Sequence, residues 1–83
     1  EERKLEWVAD AEVDASILLA VEQSYGMERE DISIASTRLM GFDRTLEPMR
    51  VRIDARVAAL LTAGSLMELE GQIQIPEGGN HGG

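Results

Sequence analysis

The sequence predicts a small α+β domain in which three helices are followed by a β-hairpin. Three observations carry that expectation. Apolar residues recur at helical spacing in three separate segments. A glycine closes each of them, at Gly26, Gly41 and Gly64. Near the end, two short alternating stretches flank the pair Glu70-Gly71.

The elements follow in chain order. In the opening segment, from Arg3 to Val8, Leu5 and Trp7 stand two apart, the spacing of a half-buried strand. Helix one is expected over about 11–25. Asp10 or a neighbour can cap it, Glu12 and Asp14 suit the positive end of the helix dipole, and Val13, Ile17, Val21 and Tyr25 recur at four with Leu18 widening the stripe. Helix two is expected over about 28–40, behind the acidic start Glu28, Glu30 and Asp31. Its buried stripe reads as Ile32, Ala35 and Leu39, and Phe42 is placed for the apolar contact that accompanies a glycine C-cap. Helix three is expected over about 46–63, capped by Thr45, with Pro48 tolerated in the first turn and Met49, Ile53, Val57 and Leu60 facing inward. The stretches LMEL and QIQI then form the hairpin about a two-residue turn at Glu70-Gly71. The expected core is Ile17, Val21, Ile32, Leu39, Phe42, Ile53, Val57, Leu60, Leu69 and Ile73. This is the order of a winged helix-turn-helix, with a possible short N-terminal strand in front. Residues 1–76 read as one domain and 77–83 as a flexible glycine-rich tail; a start at Glu1 suggests a fragment of a larger protein.

Composition narrows the function classes. A chain of 83 residues buries only about 60–65% of its unfolded surface, so the core is small. With one Trp, one Tyr and one Phe that core must be largely aliphatic, and without cysteine it has neither disulfides nor thiolate metal sites. No apolar run approaches the roughly 20 residues of a membrane span, and no signal-peptide pattern opens the chain, so a cytoplasmic setting is expected. The net charge is −8, but five of the eight basic residues (Arg38, Arg44, Arg50, Arg52 and Arg56) lie between 32 and 64, against Asp43, Glu47 and Asp54. A mildly positive strip on an acidic body supplies few phosphate contacts.

Catalytic chemistry lacks its parts. The only histidine, His81, sits among tail glycines, and no base stands near Ser16, Ser24, Ser33, Ser36 or Ser65. Gly78-Gly79 opens no helix, so no phosphate loop is present. Asp10, Glu12 and Asp14 alternate as a calcium loop begins, yet Ala15 and Val21 occupy the places where such a loop needs Gly and Glu. The expectation is a non-enzymatic domain with no catalytic residue, no metal, no cofactor and no small-molecule substrate.

On a helical wheel at about 100° per residue, helix three sets Arg50 on one shoulder and Arg52 and Arg56 on the other. Opposite the core lie Glu47, Val51, Ala55, Ala58 and Thr62. A base-reading helix offers Arg, Lys, Asn or Gln there. This one offers small apolar side chains and a carboxylate, and the wing tip Glu70-Gly71 has no basic residue. Arg50 can pair with Asp54, and Arg38 or Arg44 can bridge to acidic helix one.

The run REDISIASTRLMGFDRTLEPMRVRIDARVAALLTAGSLMELEGQIQI resembles the small winged-helix tail of large bacterial superfamily-one DNA helicase-like proteins. Those proteins join an ATPase core to a nuclease-like domain and end in a domain of unknown function. The tail shows a helix, a Gly-Phe-x-Arg-Thr turn, an Ile/Leu-Arg helix and a hairpin. Here the turn is Gly41-Phe42-Asp43-Arg44-Thr45, Met49-Arg50 and Ile53 follow it, and the likeness spans roughly Val13 to Ile75. It implies a helicase-associated accessory module of an ATP-dependent DNA-processing protein, itself without ATP or nuclease site. Two functions follow. In the first, Arg38, Arg44, Arg50 and Arg52 touch DNA phosphates weakly and without sequence preference. In the alternative, Glu47, Val51, Ala55 and Ala58 form a protein-interaction face for parent-protein domains or a second copy. No membrane partner is expected.

Overall fold

The computed structural model describes residues 8–76. Its elements are α1 (Asp10–Ser24), α2 (Arg29–Leu39), α3 (Glu47–Ala63), β1 (Met67–Leu69) and β2 (Gln72–Gln74). Three helices followed by an antiparallel hairpin is the expected α+β order, and it is consistent with winged-helix topology. The proposed opening strand and the glycine-rich tail with His81 lie outside the described residues, apart from Val8, which is buried and not in a strand.

The helix signals hold except at their N-caps. Val13, Ile17 and Val21 of α1 and Met49, Ile53, Val57 and Leu60 of α3 are buried together around Ile32 and Ile73. Burying each such aliphatic side chain stabilises by about 1.5–3 kcal/mol. The N-caps are Ala9, Glu28 and Leu46, and none makes a side-chain cap hydrogen bond, so neither Asp10 nor Thr45 acts as a cap. Acidic first turns stand in for the missing caps at all three starts.

At the C-termini the chain folds as glycine caps should, with one displacement. Gly41 (φ 94) follows α2. The Gly41 amide donates to the Arg38 carbonyl at 3.0 Å and the Phe42 amide to the Thr37 carbonyl at 3.1 Å, which turns half-buried Phe42 onto the core as expected. After α1 the left-handed residue is Tyr25 (φ 56, ψ 34), with Gly26 next at φ 113. That backbone swings Tyr25 out of the helical stripe, and it is 92% exposed instead of continuing the buried row.

Helix α2 departs most from its sequence pattern. It buries Ile32, Ser33, Ser36 and Thr37, and Met40 just beyond it, while Leu39 lies 43% exposed. The hydroxyl residues are small, and Thr37 Oγ1 also lies 3.1 Å from Met49 Sδ of α3. Two of them are satisfied locally: Ser33 Oγ donates to the Glu30 carbonyl at 2.9 Å and Thr37 Oγ1 to the Ser33 carbonyl at 2.6 Å. Within α1, Ser16 Oγ donates to the Val13 carbonyl at 2.7 Å. Among the described residues only Ser36 Oγ is a buried side-chain atom without a hydrogen-bond partner.

The hairpin turns through Glu70 (φ 54) and Gly71 (φ 82), two positive φ values in succession as in a type I′ turn. Its register pairs Met67 with Gln74, Glu68 with Ile73 and Leu69 with Gln72. Residues paired across strands share a face, so Met67 and Leu69 point the same way as the two glutamines, away from Ile73. Leu69, expected in the core, is 49% exposed, and Leu66 is buried in its place. A third strand-like piece comes from the α1–α2 link. The Met27 amide donates to the Ile73 carbonyl at 3.0 Å and the Ile73 amide to the Met27 carbonyl at 2.7 Å. This pair clamps β2 to the helical layer and fixes where the wing stands.

Candidate functional site

The outer face of α3 carries the side chains expected there. Glu47, Val51, Ala55 and Ala58 are all exposed, Val51 at 55%. Arg50 lies along the same helix between two acids, with its guanidinium 2.6 Å from Glu47 Oε2 and 3.6 Å from Asp54 Oδ2. The hydrogen bond to Glu47, then the charges of Glu47 and Asp54, hold the Arg50 guanidinium above its ordinary basicity. All three side chains are substantially exposed, so these ion pairs contribute little to stability. They matter for recognition, because the arginine best placed for a groove is already flanked by two carboxylates.

The opposite shoulder of α3 is tied to α1. Arg52 donates to Asp10 Oδ1 at 2.7 Å and to the Val8 carbonyl at 2.6 Å. Arg56 grips Asp14 with two bonds of 2.8 Å, Nε to Oδ1 and Nη2 to Oδ2. The hydrogen bond from Arg52 holds the Asp10 carboxyl below the ordinary aspartate value, outweighing the partial desolvation that acts against it. Hydrogen bonding to Asp14 raises the Arg56 guanidinium in the same way. The expected bridges to α1 therefore exist but come from Arg52 and Arg56, not from Arg38 or Arg44. A signal for them was present: arginines four apart on α3 face aspartates four apart on α1, a matched ladder.

Arg38 and Arg44 are exposed, and among the described residues their side chains have no ion pair or hydrogen bond. Arg44 sits in the α2–α3 turn. Arg38 lines a shallow, open groove of about 430 Å³ between α1 and α2, with Ala20, Gln23, Asp31, Ile34, Ala35 and Leu39 along it. Of the four candidate phosphate ligands, Arg50 is paired along α3, Arg52 is tied to α1, Arg38 lines the groove and Arg44 sits in the α2–α3 turn. On the wing, Glu68 and Glu70 are exposed and no basic residue occurs between 65 and 76. Among the described residues no group of three or more acidic or histidine side chains could hold a metal ion, and no helix is long and apolar enough to cross a membrane.

Comparison with protein-family models, with curated proteins and with solved structures gives no match. The likeness to a helicase-associated tail rests on the residues that carry it, chiefly the Gly41-Phe42-Asp43-Arg44-Thr45 turn.

Proposed function

We propose that this domain is a non-catalytic winged-helix accessory module of a larger, cytoplasmic, ATP-dependent DNA-processing protein, and that its α3 face docks protein instead of reading bases. The observation that carries this reading is the neutralisation of Arg50 between Glu47 and Asp54. A guanidinium so held must lose two carboxylate partners before it can fork onto a guanine edge, and its neighbours Val51, Ala55 and Ala58 have no donor to offer. Acidic Glu68 and Glu70 on the wing repel the backbone that a wing would grip. The parent-protein context comes from the resemblance.

A second reading is favoured by one specific observation. Arg38 and Arg44 are without ion pairs and can approach phosphates. Two such contacts give weak association that falls with salt at a logarithmic slope of about −2, against about −4 if Arg50 and Arg52 also took part.

Titration of a fluorescent duplex at several salt concentrations tests both readings. Weak, sequence-independent binding with the shallow slope, lost on Arg38→Glu and Arg44→Glu but kept in Arg50→Glu, is the expected result. Base-specific binding at physiological salt would overturn the docking reading of α3. Its positive arm is Ala55→Arg, which should break contact with the parent protein's other domains while leaving the melting temperature nearly unchanged.

A further inference from the structure

We infer that the groove between α1 and α2 is a self-association surface, in which α2 of one copy lies antiparallel along the groove of a second. The surface is distinct from the α3 face and independent of the docking reading above.

The groove presents Asp31, Ile34, Ala35, Arg38 and Leu39 from α2, and Ala20, Gln23 and Ser24 from α1. On α2 the spacing of 31, 34, 35 and 38 is that of a single helical face. Its middle is apolar, with Ile34 48% exposed and Ala35 half-buried, and Leu39, 43% exposed, lies just past Arg38. Ala20 and Ala35 keep the floor shallow, so another helix can come close. The two ends of the face carry opposite charges, and neither Asp31 nor Arg38 has an ion pair among the described residues.

That pattern is self-complementary. A two-fold axis passing between Ile34 and Ala35 exchanges position 31 with position 38. Asp31 of each copy then faces Arg38 of the other, and Ile34 faces the small Ala35. A two-fold interface requires a patch that matches itself, and a face with one acid and one base set symmetrically about an apolar centre does so. An acidic or a basic partner would satisfy one end and repel the other; a second copy satisfies both. The acid near the start of α2 and the base near its end also suit the helix dipole. That role explains their positions in the helix but not the exposed Ile34 between them. Each chain carries a net charge of −8, and this general repulsion is screened beyond about 8 Å at physiological salt, whereas apposed side chains meet within that distance.

Sedimentation of the full 83-residue chain at physiological salt, across concentrations up to about 1 mM, is the first measurement. A monomer–dimer equilibrium is expected. Asp31→Arg and Arg38→Asp should each weaken it roughly tenfold, because symmetry turns two attractions into two repulsions in each variant. The double variant restores the pairing with the charges exchanged, so dimerisation should return towards that of the parent chain. Circular dichroism on each variant separates lost association from lost helix. A measurement that leaves the charges alone uses the absence of native cysteine: Ala35→Cys lies beside the axis and should form a disulfide-linked dimer under mild oxidation, whereas Ala58→Cys on α3 should not. A protein monomeric throughout, a double variant no better than the singles, or cross-linking at 58 in preference to 35 would overturn the inference.

Discussion

Tyr25 and Gly26 are adjacent, both have positive φ, and replacing them should move stability in opposite directions. Gly26 sits at φ 113, beyond the left-handed well that other residues can enter. A Cβ there would stand 3.1 Å from Gln72 Oε1 and 3.2 Å from Gln74 Cγ. The backbone strain alone is about 1–2 kcal/mol, and displacing the two glutamines adds to it. Alanine narrows the unfolded ensemble and so returns about 0.4–1 kcal/mol. The balance for Gly26→Ala is a loss of roughly 1–3 kcal/mol. Tyr25 lies inside the left-handed well, and its exposed ring has almost no packing to lose. Tyr25→Asn keeps the conformation with a residue that tolerates it, and should stabilise by up to about 1 kcal/mol. For a domain of this size each kcal/mol moves the melting temperature by about 4–8 °C, so thermal unfolding followed by circular dichroism resolves both changes. A Gly26→Ala variant that melts at or above the parent temperature would refute the reasoning, because the link would then not be held in this conformation against the hairpin. The same link supplies Met27 to the Ile73 pair, so loosening it should also raise hydrogen exchange at the Ile73 amide.

Two further outcomes follow from the register and from the α1–α3 contact. Leu66→Ala should cost about 2–5 kcal/mol in chemical denaturation, whereas Leu69→Ser should stay within about 0.5 kcal/mol; equal losses would mean that the hairpin pairs one residue out of step. Asp10 is held below its ordinary value of 3.8 by Arg52, so its contribution to stability is complete above that value and is lost as the pH falls through the lower folded value. Acid unfolding of Asp10→Asn below about pH 4 should therefore be less steep than that of the parent chain, and an unchanged acid limb would show that the Arg52 contact does not persist in solution.

The periodicities of α1 and α3, the three glycine stops and the Glu70-Gly71 turn were legible in the sequence because each depends on near neighbours along the chain. Helical spacing brings Met49, Ile53, Val57 and Leu60 to one side whatever they pack against. A glycine next to a helix end signals a left-handed backbone without reference to anything distant. The arginines of α3 and the small side chains opposite its core were legible for the same reason.

What depended on a second element was not. Leu69 left the core and Leu66 entered it because a two-residue turn sets Leu69 opposite Gln72, and the helices lie on the Ile73 side. Alternation shows that a strand has two faces but not which of them is covered. In α2, Ser33, Ser36 and Thr37 read as polar, yet they are buried, with Thr37 Oγ1 3.1 Å from Met49 Sδ of α3, while Ile34 and Leu39 lie outside. Small size and local hydroxyl bonds outweigh hydropathy where two helices meet. The charges followed the same rule. Arg50 could be matched with Asp54 from spacing within one helix, but only the packing of α1 against α3 set Arg52 on Asp10 and Arg56 on Asp14. Packing left Arg38 at the mouth of a groove instead, because the reach of a side chain across elements is a property of the folded arrangement.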